Sequence, residues 1–504
     1  MHPDPQELSS RITAWANNNG HQPLTTYPPE PTNSSPISWL PSELLSRIFF
    51  FCLPDERYPN PSPTAAPLLP ARVCSSWRRI AKSTPELWDS VHLNYQGSAE
   101  DIRLANLWMQ RSGDRPLSLS LSVDFNERPH QGILNLVCRH ASRWKHVRFE
   151  FRNLSCPLIY NLANAMENIP LLTTFEFHAR GVSTSNIIPI TRLLAGAPRL
   201  KELTWVDDLA DTETLLALPL PRLARLSLSM NYGKLNYLEL LDRCANLEDI
   251  RIARPYPEFL PSQPPILLPK LTSLNITHDL TGLLNHLVLP ALKRVRVHLD
   301  ADTPDQSNSR HQKSWDPKDL IELIERSACQ VEVLWINTPM KDSDFVACLK
   351  TCEPSLRKLT VRGSRVNYPV LVEMVAPRKA IRSSSEWECP FPRLVDLTVD
   401  TRVPTSHSLV EMVERRMGAL VVEGGGVHSM PPTQQVSPFE RLQLHYPAGH
   451  KDIPILREMP SLANSHRHRL DLKIVELRMG NMRGSSAGRT RSSYLYRRKV
   501  CSSR

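Results

Sequence analysis

A short pattern, apolar-x-x-apolar-x-apolar, recurs along this chain. It reads WDSVHL at 88, PLSLSL at 116, WKHVRF at 144, LTTFEF at 172, LKELTW at 200, LARLSL at 223 and LEDIRI at 247. It continues as LTSLNI at 271, LKRVRV at 292, VEVLWI at 331, LRKLTV at 356, LVDLTV at 394, FERLQL at 439 and IVELRM at 474. The first five copies start 28 residues apart, and the next steps are 23, 24, 24 and 21. Alternation of this kind predicts a short strand in each copy, with the fourth and sixth positions facing a core and the third, fifth and seventh facing out. Most intervals carry helical periodicity instead, as in DIRLANLWMQR, GILNLVCRHAS, DLIELIERSAC and DFVACLKTC. Two later insertions, PVLVEMVAPRKAIRSSSEWECPF and MGALVVEGGGVHSMPPTQQVSP, predict loops.

One strand and one helix cannot bury their own apolar faces. Stacked copies share a core and line their strands up in one curved parallel sheet. A strand–helix unit with a period of 20 to 29 residues carries the leucine-rich-repeat signature, in a degenerate form. The expected fold is therefore mixed α and β: a small all-α module followed by an α/β leucine-rich-repeat-like solenoid over residues 94–479.

The all-α module is read from residues 37–93. Pro41 suits a first helical position, and Leu44, Leu45, Ile48, Phe49, Cys52 and Leu53 follow at helical spacing. Phe50 and Phe51 widen the apolar stripe almost round the helix, so it needs cover on more than one side. Val73, Cys74, Trp77, Ile80 and Ala81 repeat the pattern, Thr84-Pro85 reads as a helix start, and Leu87-Trp88 closes the block. LP-x-ELL-x-x-IF, then VC-x-x-W-x-x-IA, then P-x-LW resembles the F-box pattern, in the form abundant in fungi, over about 55 residues. The resemblance implies docking on a Skp-type adaptor, and through it on a cullin–RING ubiquitin ligase. The matching positions, adaptor-facing or in immediate support, are Leu40, Pro41, Leu44, Ile48, Phe49, Leu53, Val73 and Trp77. The chain departs from the pattern at PDERYPNPSPTAAPLL, a Pro-rich insert where a short turn is usual. The insert reads as an exposed connection open to proteases.

The outward positions of the repeats carry a basic stretch with an indole inside it. Candidate substrate-binding residues are Arg251, Arg294, Arg296, His298, Trp335, Lys358 and Arg362. Trp335 is expected to project from the sheet. It would offer aromatic surface of the kind that anchors interfaces, flanked by Arg294 and Arg296 that favour an acidic or phosphorylated segment.

Composition narrows the picture further. Forty-five Pro against 17 Gly imply stiff connections. No run of 18 apolar residues and no signal-like start occur, so a cytoplasmic or nuclear chain is expected. The ten Cys are scattered at no zinc spacing and read as small buried hydrophobes. Of the net charge of +10, +7 comes from residues 480–504, which hold no acid, so the body is nearly balanced. Residues 1–36 and the tail 480–504 read as disordered. The one catalytic match, G-x-S-x-G at Gly484 to Gly488, lies in that tail without the strand and helix a nucleophile elbow requires. No catalytic residue, metal site or cofactor is assigned. The leading expectation is a non-catalytic substrate receptor of a ubiquitin ligase. The alternative is a binding module outside any ligase, meeting nucleic acid through the basic RTRSSYLYRRK.

Overall fold

The computed structural model describes residues 36–124, 131–152, 168–179, 184–207, 211–230, 234–253, 256–257, 264–277, 281–298, 317–338 and 340–362, and then 370, 374–375, 378–379, 387–388, 390–400, 416, 422–423, 426–427, 437, 439–447 and 471–477. The tail 480–504, nearly all of the segment 1–36, and much of the two insertions lie outside these residues. The chain forms two compact units, Met1–Leu247 with Pro255–Glu258, and Glu248–Arg254 with Phe259–Arg504.

The first unit opens with the helical module: α1 (Ser42–Phe51), α2 (Pro70–Val73) and α3 (Ser75–Ser83), then a 3-10 turn at Pro85–Leu87. Pro41 sits at the N-cap, one residue before its expected place, with φ −55° and ψ 149°. Thr84 does not cap the following turn. Its hydroxyl donates back to the Ile80 carbonyl at 2.7 Å. Cys74 caps α3 instead, its Sγ accepting from the Trp77 N–H. Leu45, Phe49, Leu68, Ala71, Ile80 and Ala81 form the module's core, with the Phe49 and Trp77 rings 4.9 Å apart. Trp88 joins the module to the repeats. Its indole is fully buried, donates to the Ala81 carbonyl at 2.8 Å, and packs 4.8 Å from Trp108 of α4 (Ala99–Arg111). The start of α4 is secured by a capping box in which Ser98 and Asp101 satisfy each other's backbone N–H.

Six strands follow in parallel, each beside its successor: β1 (Ser90–Tyr95), β2 (Leu117–Asp124), β3 (Trp144–Arg152), β4 (Thr174–Ala179), β5 (Glu202–Asp207) and β6 (Arg225–Met230). Their register is the repeat's own. The fourth motif positions Val91, Leu119, Val147, Phe175, Leu203 and Leu226 face one another, as do the sixth positions Leu93, Leu121, Phe149, Phe177, Trp205 and Leu228. Both rows are buried. Large rings fill the middle of the stack, with Phe177 and Trp205 4.7 Å apart. The return segments include helices at Gln131–Cys138, Thr184–Ala195, Thr212–Leu216 and Tyr237–Asp242, the last two N-capped by Asp211 and Asn236.

The second unit repeats the scheme with eight strands in chain order: β7 (Asp249–Ala253), β8 (Ser273–Thr277), β9 (Arg294–His298), β10 (Val333–Asn337), β11 (Lys358–Val361), β12 (Asp396–Asp400), β13 (Arg441–Pro447) and β14 (Asp471–Leu477). Ile250, Leu274, Val295, Leu334, Leu359, Leu397 and Leu442 make its fourth-position row, all buried. Helices at Pro317–Ser327 and Asp342–Cys352 pack behind it. Burial pushes the Cys348 thiol up to about 12 and that of Cys352 higher still, so both remain protonated packing groups. The fold is thus the expected mixed α and β, leucine-rich-repeat-like arrangement, and every motif read from the sequence overlaps a strand. The last motif alone slides. Leu472 and Ile474 oppose Leu442 and Leu444, so the copy read at 474 begins five residues earlier.

Candidate functional site

Among the described residues nine large apolar side chains are exposed, and eight of them lie between Ile37 and Val73. Most of them belong to the helices of the first module. Trp39 is 72% exposed, Leu44 50%, Ile48 42%, Phe51 74% and Val73 58%, with Ile37, Phe50 and Leu69 beside them in sequence. Helix α1 turns Leu45 and Phe49 inward, so Leu44, Ile48 and Phe51 face out by helical spacing. Of the candidate adaptor residues, Leu44, Ile48 and Val73 are open, Pro41 is exposed, and Leu40, Leu53 and Trp77 are half-buried. Phe49 is 1% exposed and lies under Trp77, so it can only support such a surface from below. Sequence reasoning missed Trp39 as an open side chain, although its neighbours Leu40 and Pro41 were singled out.

The Pro-rich insert is not the loose connection its composition suggests. It crosses the outward face of the first unit's strands. The His92 N–H donates to the Pro59 carbonyl at 2.9 Å, and the Ser90 hydroxyl to the Arg57 carbonyl at 2.5 Å. Tyr58 is buried; its hydroxyl donates to Glu176 on β4 at 3.3 Å, and the Arg148 guanidinium lies 5.1 Å from its ring. Arg148 also pairs with Glu176 at 2.6 Å, while Arg57 reaches Glu202 on β5 at 3.7 Å and Arg225 bonds the same carboxylate. Burial raises the Glu176 carboxyl, but contacts from His178 and Arg148 outweigh it and hold the group below its ordinary value. Glu202 is held low in the same way, burial being overcome by Arg225 and Arg57. Burial first, and then the Glu176 charge, keep Tyr58 a neutral phenol. The cations on this face therefore have partners within the chain. What the sequence lacked was any local sign that Arg57 and Tyr58 would meet residues more than a hundred positions away.

The second unit's outward face differs. Across β7 to β11 the fifth motif positions Arg251, Asn275, Arg296, Trp335 and Thr360 form one row. Trp335 projects from the sheet as expected, but it is half-buried rather than open. The Arg296 guanidinium lies over its ring at 4.1 Å, and the His298 ring meets its edge at 5.9 Å and 70°. Arg251 and Arg296 are exposed, and Arg362 is half-buried, 3.4 Å from the Nε2 of His445. Burial and then the fields of Arg251 and Arg362 push the Arg296 pKa down. Two candidates are otherwise engaged. Lys358 pairs with Asp396 at 2.7 Å, a carboxylate shared with Arg441, and Arg294 reaches out to Thr272 at 3.4 Å, off the indole. Thr360, Asp396 and Thr398 are buried although they occupy outward positions. The open part of this face is thus narrower than the pattern implies.

Among the described residues no helix is long and apolar enough to cross a membrane. No family model and no curated protein matches the chain. Among solved structures the chain is similar to the complex of Rad7 and Elc1 in yeast, with 12% identity over 82% of this chain and 91% of that one and a TM-score of 0.35. It is also similar to TLR13 in its complex with ssRNA13, with 13% identity and a TM-score of 0.31; the match covers 61% of this chain and spans 39% of that one.

Proposed function

We propose that the protein is the substrate-recognition subunit of a Skp–cullin–F-box type ubiquitin ligase, acting in the cytoplasm or nucleus and catalysing nothing itself. In this reading α1 to α3 dock on the adaptor and the outward face of the repeats holds a protein substrate. The observation that carries it is the concentration of open apolar side chains on one small module at one end of the sequence. Exposed large apolar side chains gathered on one small module suit a partner surface, and the F-box-like blocks lie on the same residues. The test is co-purification of adaptor with the full chain and with Ile48→Asp. Ile48 is 42% exposed, so the carboxylate stays solvated in the free protein and is buried unpaired only in a complex. The expected result is loss of adaptor from the variant with an unchanged melting temperature. Equal adaptor recovery from both proteins would end the F-box assignment.

A further inference from the structure

The Pro-rich insert meets the first unit's strands in the way a bound peptide meets a sheet. β1 is the outermost strand; its His92 N–H donates to the Pro59 carbonyl and its Ser90 hydroxyl to the Arg57 carbonyl. Carbonyls two residues apart on the insert thus meet residues two apart on the strand, which is the spacing of an added strand. Of residues 55–60 Tyr58 alone is buried, and the Arg57 side chain keeps 45% of its surface open. These two side chains reach Glu176 on β4 and Glu202 on β5. Both carboxylates also have partners on the strands themselves, Arg148 for Glu176 and Arg225 for Glu202. Lifting the insert therefore leaves neither carboxylate unpaired, which would otherwise be the main obstacle to opening the face.

We infer that residues 57–59 are a tethered ligand, and that the face beneath them takes an extended segment of a partner protein in which a cationic residue precedes an aromatic one. The occupant is read from the segment already seated there and from the charge it meets. A guanidinium and a phenol hydroxyl suit two carboxylates, and a carbonyl two residues past the cation satisfies the edge strand. Proline after the ring holds the backbone extended and gives up no needed donor. The partner chemistry is opposite in sign to what the second unit's outward face would take, where Arg251 and Arg296 are exposed. A short tether holds its ligand at an effective concentration on the order of millimolar, so the insert shuts out a partner segment of equal affinity until it is displaced. The binding does not require a ligase.

The probe is a fluorescent peptide with the insert's own sequence over residues 54–61, PDERYPNP, beside the same peptide with Ser in place of its Arg and Tyr. Binding to the full chain is read by polarisation, well below each protein's melting temperature. Wild type should bind the first peptide at least tenfold more weakly than the double variant Arg57→Ser, Tyr58→Ser, whose own insert no longer holds the face. Adding Glu176→Gln or Glu202→Gln to that variant should weaken binding tenfold or more. Adding Glu100→Gln, which removes a carboxylate on α4 away from the sheet, should leave it within twofold. If the double variant does not fold, Arg57→Ser alone keeps the buried Tyr58 and should bind at least threefold more tightly than wild type. No gain over wild type on release, equal binding of the two peptides, or no response to either carboxylate overturns the proposal. Adaptor co-purification is scored on the same samples, so loss of the ligase reading and loss of the tethered-ligand reading give different results.

Discussion

At the residue scale, the helix α1 divides neighbours with the same chemistry into two roles. Phe49 is 1% exposed against Trp77, while Phe51, two residues on, is 74% exposed. Phe49→Ala should destabilise the module by about 3 to 5 kcal/mol, since a buried ring is removed and a cavity left. Phe51→Ser should leave stability within about 0.5 kcal/mol, as surface changes do. Chemical denaturation followed by tryptophan fluorescence separates the two, and adaptor binding should respond in the opposite sense, weakening for Phe51→Ser while the fold is intact. A large loss of stability from Phe51→Ser would place that ring in the core and remove it from the proposed docking surface. The same distinction applies at Trp335. Alternation of core and outward positions located it correctly, but nothing in VEVLWI says that Arg296 would cover its ring, because that contact comes from a strand 39 residues away in register.

At the scale of elements, the insert between the module helices is a strap tied to strands by charge. Glu176 and Glu202 have folded pKa values below their ordinary 4.5. Their contribution is therefore fully present above that value and is lost as the pH falls through the lower folded values. Glu176→Gln should cost roughly 1 to 3 kcal/mol at neutral pH, the worth of hydrogen bonds to a charged group. The difference from wild type should shrink steadily below pH 4.5, measured as paired melts across a pH series. A difference that persists unchanged in acid would mean that Glu176 acts by packing alone. The strap also explains where sequence reasoning stopped. Strands were legible because each copy carries its own period, and thirteen of the fourteen motifs fall in register. DLKIVEL offers apolar residues at two phases, and pairing with β13 selects the earlier one. The strap has no period at all. Its Pro content signals only stiffness, and its place is set by Tyr58 and Arg57 finding carboxylates on β4 and β5.

At the scale of the whole molecule, the sequence separates its charge from its architecture. Eight of the nine exposed large apolar side chains among the described residues lie in the first unit and the exposed Arg251 and Arg296 in the second, while +7 of the net +10 is carried by residues 480–504. A polycation of that density competes for any polyanion, so retention of nucleic acid by the full chain does not by itself point to the repeats. Counterion release gives a way to tell the sources apart, since the logarithm of binding falls with the logarithm of salt by about 0.9 per neutralised duplex phosphate. Deleting 480–504 leaves a chain of net +3. Its retention of duplex DNA should fall sharply and its salt slope should flatten. Retention of adaptor should remain within twofold of the full chain. A truncated chain that holds DNA with an unchanged slope would locate nucleic-acid binding in the repeats, where Arg251 and Arg296 stand open, and would favour a binding module outside a ligase. A truncated chain that loses adaptor would instead make the tail part of the docking surface, which the apolar side chains of α1 to α3 do not require.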